Sequence, residues 1–480
     1  MRADHRRAVV FVGGPAAPYS RSIRIARALA AEGFAVEIAA VAAPGLPERE
    51  AVAPAAAGSV GEPRPDAALV GSIELRRYAP SGPWAVLGAS EAATATVGGA
   101  TAATAEATGT AGTGRRASTR AIRRVVRTLT MPLLAARRWL FWPHAVRGWW
   151  ATLARELAPA DLYHACGSLT IAAALAARDR FPVGPNGAPA RVVYDAIDDV
   201  AESNEALAVP APVRRRNTRT ETAWARSADA VVTVNDALAV RLSERWRLER
   251  PPLVVANLPE PTPRTDGVDP VRSDHIRAAT GLPAQIRIVL FQGRLGPGLG
   301  LDEAAEAILR VPDAALVLLG FGRGMAASIA RDRDPRYEGR HVTLPARHPD
   351  ELLAWTASAD VALIPLPPVS VNQRLSTPNK LWEALAAGTP VVVVSGLEVM
   401  ERLVEEHDLG AVAASVAPAD LAAATEEVLA RLSSDGEAWR ARIAATSRER
   451  YGWPAVASAY RSLVRSLGPA KDGGSGSQST

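Results

Sequence analysis

The chain has 480 residues, of which 48% are hydrophobic and 22% charged, a composition that excludes intrinsic disorder and suits two or three globular domains. Its single cysteine, Cys166, excludes an intramolecular disulfide framework, so we expect a reducing compartment and a cytoplasmic protein. The formal net charge is +5, and nine arginines fall in the acid-free segment 115–147, so the basic character is local and argues against a nucleic-acid binder.

Apolar runs with the character of strands alternate with helical patterns from the start of the chain. Val9–Val12 is too short for a signal peptide or a membrane span and predicts a buried strand, and Ser20–Glu32 predicts a helix that ends at Gly33. The other strands predicted for this first sheet are Ala35–Val41, Asp161–His164, Arg191–Tyr194, Ala230–Val234 and Leu253–Ala256. This alternation is typical of a parallel sheet with helices on both faces.

One segment interrupts the first domain at about residues 80–118. Residues 88–114 are almost all Ala, Thr and Gly, which bury little apolar surface, so we expect a mobile loop. Residues 115–150 then combine arginines with aliphatic and aromatic residues, a composition that suits a helix at an anionic membrane surface. The alternative is that the aromatic side chains pack on the sheet while the arginines face water.

The proline-rich stretch 257–285 predicts a linker between an N-terminal domain, 1–256, and a C-terminal domain, 286–450. Strands are predicted in the second domain at Ile286–Phe291, Ala315–Leu319, His341–Leu344, Val361–Ile364 and Pro390–Val394. Helices are predicted at Pro418–Ser433, Gly436–Arg450 and, within the C-terminal helical segment 451–467, Ala455–Leu467, before a disordered tail at 468–480. The predicted fold class is α/β, with two doubly wound, Rossmann-like domains that face each other across a cleft.

The segment Leu375–Gly388 predicts a helix whose beginning suits a diphosphate. Thr377 is a suitable N-cap and Pro378 a suitable first helical residue. The N–H groups at that end carry partial positive charge, and Lys380, one of two lysines in the chain, adds a full one. Glu383, one turn further along, can accept hydrogen bonds from sugar hydroxyls. The alternatives are that Glu383 forms an ion pair with Lys380 and that Lys380 has no chemical role.

Glycine-rich loops after other predicted strands offer further contacts with phosphate. The loop Phe291–Gly300 contains four glycines and places Arg294 as a bidentate clamp, with a plain surface turn as the alternative. Gly320–Gly324 also follows a strand but lacks the spacing of a dinucleotide fingerprint. Gly13 and Gly14, after the first strand, would admit a substrate closely or form an ordinary tight turn.

These loops, in this order on two doubly wound domains, resemble the GT-B glycosyltransferases of family 4. The resemblance covers roughly residues 8–41 and 161–445 and excludes the insertion. Its most specific part is Ser376–Glu383 with Gly388–Val392, which looks like the donor-binding helix of that family.

The resemblance implies roles for individual residues. Glu383 matches the glutamate that binds the nucleotide ribose, Arg294 the arginine at the donor diphosphate, and His164 a histidine near the reacting carbon of the sugar. Without the resemblance, a lone histidine at a strand end is more often structural. Arg21 matches a recurrent arginine that contacts phosphate or acceptor. The candidates are thus His164, Arg294 and Lys380 for catalysis; Gly293, Arg294, Gly322, Thr377, Asn379, Lys380 and Glu383 for donor binding; and Gly13, Gly14 and Arg21 on the acceptor side.

This chain departs from the family pattern at three positions. Leu299 stands where many members have a lysine, and Lys380 is the candidate to supply the missing charge. Leu375 stands where many have a second glutamate, so the identity of the donor sugar does not carry over. Ile197 replaces a histidine at another strand end.

The resemblance predicts a metal-independent enzyme without a cofactor that transfers a hexosyl or related sugar from a nucleoside-diphosphate sugar to an acceptor hydroxyl. It implies retention at the anomeric carbon and a place in cell-envelope, polysaccharide or glycolipid synthesis. The expected partners are the donor, a lipid-linked or glycan acceptor and, through residues 115–150, the inner face of the plasma membrane; nucleic acid is not expected. The alternatives are a sugar-nucleotide epimerase and a catalytically degenerate binding protein, which Leu299 and Leu375 favour.

Overall fold

The computed structural model describes residues 6–16, 20–43, 45–53, 71–79, 152–153, 155–207, 209–260 and 274–468. The predictions for the insertion at 80–118, for the basic segment 115–150 and for the tail beyond 468 lie outside these residues.

Eight strands among the described residues form the N-terminal sheet. They are β1 (Arg7–Val12), β2 (Ala35–Val41), β3 (Arg49–Val52), β4 (Ile73–Tyr78), β5 (Leu162–Cys166), β6 (Arg191–Ala196), β7 (Ala230–Thr233) and β8 (Leu253–Val254). Their order across the sheet is β3-β4-β2-β1-β5-β6-β7-β8, and neighbours are parallel except β3 and β4. Val9–Val12 in the central strand β1 is buried throughout, which is why it is continuously apolar instead of alternating.

Helices connect these parallel strands and cover the sheet. They are α1 (Ser20–Ala31), α2 (Ile171–Arg180), α3 (Asn204–Leu207), α4 (Ala211–Ser227) and α5 (Asp236–Trp246). Helix α1 follows β1 directly and buries Ile25, Ala26 and Leu29, because its apolar residues recur at helical spacing. The opposite part of its surface is left to face the second domain.

The C-terminal sheet is parallel throughout its six described strands. Its strands are β9 (Arg287–Arg294), β10 (Ala314–Phe321), β11 (His341–Pro345), β12 (Val361–Leu363), β13 (Val391–Val394) and β14 (Gly410–Ala413), in the order β11-β10-β9-β12-β13-β14. Its helices are α6 (His275–Thr280), α7 (Leu301–Ile308), α8 (Met325–Asp332), α9 (Pro349–Ala357), α10 (Val371–Arg374), α11 (Asn379–Ala386) and α12 (Glu398–His407). The predicted fold class, two doubly wound α/β domains, is confirmed.

The chain ends in two helices that lead back to the first domain. Helix α13 (Pro418–Arg450) is interrupted at Asp435, whose φ of −136° is not helical, where the sequence predicts a break. Helix α14 (Trp453–Ser466) returns to the N-terminal domain, since Arg465 pairs with Glu32 at 2.8 Å. Among the described residues, no helix combines the length and the apolar character needed to cross a bilayer.

Candidate active site

The two domains meet where loops at the carboxyl ends of their strands converge on the beginning of α11. Asn379, the first residue of α11, donates a hydrogen bond through Nδ2 to Ser20 Oγ of α1 at 3.1 Å. Asn235, which follows β7, donates to the Leu375 carbonyl at 2.8 Å and to Thr377 Oγ1 at 3.1 Å. The cleft predicted from two parallel sheets therefore has α11 at its centre.

The structure corrects the predicted cap of this helix. Helix α11 has eight residues, and its N-cap position is Pro378, with no capping hydrogen bond from a side chain. Thr377 is 2% exposed and its hydroxyl accepts the hydrogen bond from Asn235. Thr377 thus joins the two domains, while the first N–H groups of α11 stay without a side-chain cap.

Lys380 lies in the first turn of α11 above the glycine loop that follows β9. Its Nζ is 3.5 Å from the centroid of the Phe291 ring, and it lies 3.8 Å from where a Cβ on Gly293 would be. Burial lowers the pKa of Lys380 to about 7, which Glu383 opposes and the Arg294 guanidinium reinforces. An ammonium group held at such a low pKa is stabilised by any anion that comes beside it.

Arg294 ends β9 and is exposed. No described residue accepts a hydrogen bond from its guanidinium. Its side chain passes Gly322, where a Cβ would lie 3.4 Å from Arg294 Cγ. Two cations, Arg294 and Lys380, therefore stand at the same end of the sheet with the uncapped start of α11, an arrangement suited to an oxyanion.

Close packing of the backbone explains the glycines at the ends of β9 and β10 and in the loops that follow them. Leu295 N donates to the Phe321 carbonyl at 2.6 Å, and Gly324 N donates to the Leu295 carbonyl at 3.0 Å. A Cβ on Gly320 would lie 2.1 Å from the Gly293 carbonyl, and one on Gly324 would lie 2.8 Å from Leu295 C. Gly322 has φ of +115° as well. The loop after β10 therefore supports the loop that carries Arg294.

Glu383 is 7% exposed, and its burial raises its pKa. Its Oε2 accepts a hydrogen bond from Gln292 Nε2 at 2.5 Å, and Gln292 Oε1 accepts one from Thr356 at 2.8 Å. The carboxylate is thus held by Gln292 and not by an ion pair with Lys380. The sequence prediction gave Gln292 no role, because a single amide at the end of an apolar strand carries no distinctive spacing.

His164 lies inside the N-terminal domain and is 0% exposed. Its Nδ1 is 2.8 Å from the Tyr460 hydroxyl of α14, and its Nε2 is 3.3 Å from Asp195 Oδ2. Both ring nitrogens are therefore engaged within the protein. The sequence gave a signal for Asp195, an acidic residue in a buried apolar strand, but none for Tyr460, which is 296 residues away from His164.

Arg21 belongs to the same buried network. It forms a bidentate pair with Asp195, with Nε and Nη2 each 2.7 Å from a carboxylate oxygen. Its Nη1 donates to the Val255 carbonyl at 2.7 Å and to Asn257 at 2.8 Å. Burial alone would raise the pKa of Asp195, but the Arg21 charge and the His164 hydrogen bond outweigh it and lower that pKa to about 2. Arg21 therefore braces the chain that leaves the first domain.

His164, Cys166 and Asp195 place potential metal-ligand atoms within 4.8 Å of one another. Because Arg21 engages both Asp195 oxygens, a cation at this point would face a guanidinium. The buried ion pair thus fits the cluster better than a metal does.

The remaining acceptor-side candidates lie after β1. A Cβ on Gly13 would lie 3.0 Å from Leu169 Cβ, whereas no described atom lies within 4 Å of one on Gly14. The structure thus brings Gly293, Arg294, Gly322 and Lys380 together beside Glu383. His164 and Arg21 belong to the buried network around Asp195, and Thr377 and Asn379 join the domains.

Comparison with known proteins gives a family match within the second domain. Residues 286–431 match the family model "Glycosyl transferases group 1". Over 200 residues the chain is 31% identical to D-inositol 3-phosphate glycosyltransferase of Xylanimonas cellulosilytica, and over 147 residues it is 33% identical to that of Mycobacterium tuberculosis. These alignments cover 38% and 28% of this chain and 43% and 29% of the relatives, so the chain spans less than half the length of these curated relatives.

Solved structures extend the likeness to the whole fold. Sucrose-phosphate synthase from Thermosynechococcus elongatus has a TM-score of 0.56 at 19% identity, covering 96% of this chain and 99% of that one. Anabaena HepE in complex with UDP and glucose has a TM-score of 0.58 at 14% identity, covering 96% and 100%. At such identities the likeness establishes the fold, in which two Rossmann-like domains face each other.

Proposed function

We propose that this chain, whose residues 286–431 form a group 1 glycosyltransferase domain within a GT-B fold, transfers a sugar from a nucleoside-diphosphate sugar to an acceptor hydroxyl. The observation that carries the proposal is the pairing of Arg294 with Lys380 at the uncapped start of α11. Burial and the neighbouring Arg294 charge disfavour the charged form of Lys380 in the empty site, and Glu383 offsets this only in part. A diphosphate favours that charged form.

The same geometry suits the chemical step of the proposed transfer. As the bond between the anomeric carbon and the diphosphate breaks, negative charge grows on the leaving phosphate oxygens. Arg294, Lys380 and the first N–H groups of α11 stand where that charge develops, and electrostatic stabilisation of developing charge is usually the largest single contribution to enzyme catalysis. This arrangement supplies the stabilisation without a metal ion, so we propose a metal-independent transfer, with retention at the anomeric carbon as the stereochemical outcome.

The other residues of the site have supporting roles in this proposal. Glu383, held in place by Gln292, accepts hydrogen bonds from the ribose of the nucleotide. Gly293 and Gly322 allow close approach of the donor to the backbone, and Gly13 and Gly14 do the same for the acceptor. His164 acts as a positioning residue through its bonds to Asp195 and Tyr460, because its side chain is buried and both ring nitrogens are engaged by these partners.

The first experiment is a thermal-shift screen of nucleoside diphosphates and their sugars, since a ligand that binds the native state raises its melting temperature. Anabaena HepE binds UDP and glucose in its solved complex, which makes UDP and UDP-sugars the first to test. We expect stabilisation by at least one nucleoside diphosphate, and its loss when both Arg294 and Lys380 are replaced by Met. Equal stabilisation of wild type and double variant would refute the assignment of the site.

Incubation with the nucleotide sugar alone separates the proposal from its alternatives. A transferase consumes the donor only slowly without an acceptor, whereas a sugar-nucleotide epimerase converts it to an isomeric nucleotide sugar. A degenerate binding protein binds the nucleotide sugar and releases no nucleotide when candidate acceptors are added. Release of nucleoside diphosphate that depends on an acceptor hydroxyl is the result we expect, with hexosyl donors tested first.

We further propose that the acceptor is a lipid-linked or glycan molecule of the cell envelope, reached from the cytoplasmic side of the membrane. The support is the composition of residues 115–150, where arginines accompany aromatic residues. Vesicles of phosphatidylcholine with phosphatidylglycerol should co-sediment the protein, and rising salt should release it. Failure to bind these vesicles at any salt concentration would contradict this part.

A further inference from the structure

Helix α1 turns one polar stripe towards the second domain. Ser20, Arg24 and Arg27 recur at helical spacing on one side of α1. Ser20 meets Asn379 of α11, and Arg27 pairs with Glu260 of the interdomain connection and lies 3.8 Å from Asp350 of α9. Arg24 stands between these two contacts, so it faces the interface of the domains.

Arg24 differs from its neighbours because the outer edge of its guanidinium has no partner. The residue is 5% exposed, and its Nε and Nη2 are shielded from solvent without a hydrogen bond to any described residue. Its nearest ring contact is Trp453, at 5.6 Å from the guanidinium carbon to the ring centroid. A buried guanidinium with unmade hydrogen bonds destabilises the state that contains it.

The edge of the Arg24 guanidinium that lacks partners is the edge through which arginine binds oxyanions. Nε and Nη2 donate side by side, and Arg21, one turn earlier in α1, uses these two nitrogens to hold both oxygens of Asp195 at 2.7 Å. Arg24 presents the same fork with no carboxylate in it. Such a fork binds carboxylate or phosphate oxygens bidentately.

The location of Arg24 points to the donor site. Glu383 of α11 interacts electrostatically with both Arg24 and Lys380, whose charges each lower its pKa. Burial lowers the pKa of Arg24 to about 10, with Arg21 adding to this and Glu383 opposing it, so the side chain stays charged at neutral pH. Glu383 itself is held by Gln292. Arg24 therefore approaches the nucleotide site from the opposite domain to Lys380 and Arg294.

We infer that Arg24 is an oxyanion-binding residue of the donor site, contributed by the N-terminal domain, that takes a phosphate of the nucleoside diphosphate and so fastens the two domains together. This inference rests on the proposed function. Because its nitrogens are shielded in the empty protein, the domains must separate before the ligand enters. The unmade hydrogen bonds of the guanidinium oppose closure when the site is empty, and the hydrogen bonds to the oxyanion favour closure when it is present.

The test compares R24M, R24K and the control R27M in the full-length protein, with UDP or whichever nucleoside diphosphate stabilises wild type most. We expect R24M to melt no lower than wild type without nucleotide, because it removes a buried guanidinium whose Nε and Nη2 make no hydrogen bond to a described residue. We expect its nucleotide affinity to fall tenfold or more. R24K keeps the charge but loses the fork, so its affinity should also fall. R27M breaks a satisfied ion pair, so it should melt lower and bind nucleotide like wild type.

A second experiment determines whether the oxyanion that Arg24 binds belongs to the donor or to the acceptor. If R24M binds the nucleotide like wild type but loses the stabilisation that inorganic phosphate gives in the presence of saturating nucleotide, the oxyanion belongs to the acceptor. If R24M and R24K lose neither response, the inference is overturned and Arg24 is a structural brace. If wild type itself binds no nucleoside diphosphate, the proposed function fails first, which is a distinguishable result.

Discussion

Lys380 shows how one side chain acquires chemistry from its surroundings. In a protein with 55 basic residues, almost all of them arginine, this lysine sits on the ring of Phe291 at 3.5 Å and beside the charge of Arg294. Arginine keeps its charge in nearly any environment, whereas the ammonium group of lysine loses it when buried. Arg294 is therefore a cation of fixed charge, whereas the charge of Lys380 depends on the ligand.

Replacing Lys380 by Ala should slow transfer by a factor that corresponds to about 2–4 kcal/mol of barrier, since it removes a cation that faces the leaving diphosphate. Steady-state kinetics with the donor and acceptor found by the screens measures this. K380R is the matched variant and should retain more activity than K380A. A folded K380A with wild-type turnover would remove Lys380 from the mechanism.

The pKa of about 7 for Lys380 in the empty protein predicts proton uptake on nucleotide binding. A bound diphosphate favours the charged lysine and raises its pKa, so above pH 7 each binding event draws in a proton and affinity falls as pH rises. Titration calorimetry in buffers of different ionisation enthalpy measures this uptake. K380R, which stays charged, should show no such uptake, and equal uptake in both proteins would contradict the prediction.

The lowered pKa of Lys380 also predicts how the free energy of unfolding changes with pH. Because the folded protein holds this lysine at a pKa below 10.5, the unfolded chain binds more protons between about pH 7 and 10.5. The contribution of Lys380 to the free energy of unfolding therefore rises with pH across that window.

At the scale of elements, the candidate site is formed by the loops after β9 and β10 and by the N-terminus of α11. The loops after β9 and β10 pack backbone against backbone, and Gly320 lies so close to Gly293 that no side chain fits between them. The motif around Arg294 is recognisable from the sequence because a strand, a glycine loop and a helix follow one another locally. The support from the second loop depends on the pairing of β9 with β10, which brings distant residues together.

G320A should therefore destabilise the protein by about 1–3 kcal/mol or more, because its Cβ would lie 2.1 Å from the Gly293 carbonyl. Urea unfolding followed by circular dichroism gives the free energy of unfolding. G14A is the matched control, since a Cβ there meets no described atom within 4 Å. Equal stabilities of the two variants would show that the loops do not pack as described.

At the scale of the whole molecule, the chain closes on itself through α14. This helix follows the second domain but buries Tyr460 in the first, where its hydroxyl meets His164 at 2.8 Å. Through Asp195 and Arg21 the contact continues to Val255 and thus to the chain that enters the second domain. Both passages between the domains are therefore tied to one buried network.

Y460F should lower the free energy of unfolding by about 1–3 kcal/mol, because it leaves a buried ring nitrogen of His164 without its partner. The measurement is again equilibrium unfolding in urea. Y451F is a suitable control, since Tyr451 also contacts a histidine, His407 at 2.9 Å, but only in a partly buried position. If Y460F lowers the free energy of unfolding no more than Y451F does, the conclusion that this buried network stabilises the fold is wrong.

Local patterns were enough for the main parts of the fold and for half of the site. Most strands of both sheets, the break near Asp435 and the cationic motif at Arg294 and Lys380 follow from apolar runs, turn residues and charge within short windows. The edge strand β3 and its neighbour β4 escaped prediction, because Arg49–Val52 is mostly exposed and Ile73–Tyr78 carries Glu and Arg. Strand β14, only four residues long, also escaped.

The amino-acid sequence by itself determined two doubly wound domains, a cationic helix beginning and the glycine loop beside it, because each depends on neighbours along the chain. Only the tertiary structure decided that His164 is enclosed by Tyr460 and Asp195, that Thr377 joins the domains, and that the buried Arg24 leaves Nε and Nη2 without a hydrogen bond to a described residue. Those facts depend on contacts between residues far apart in sequence, and no local periodicity distinguishes a polar stripe that meets another domain from one that meets water.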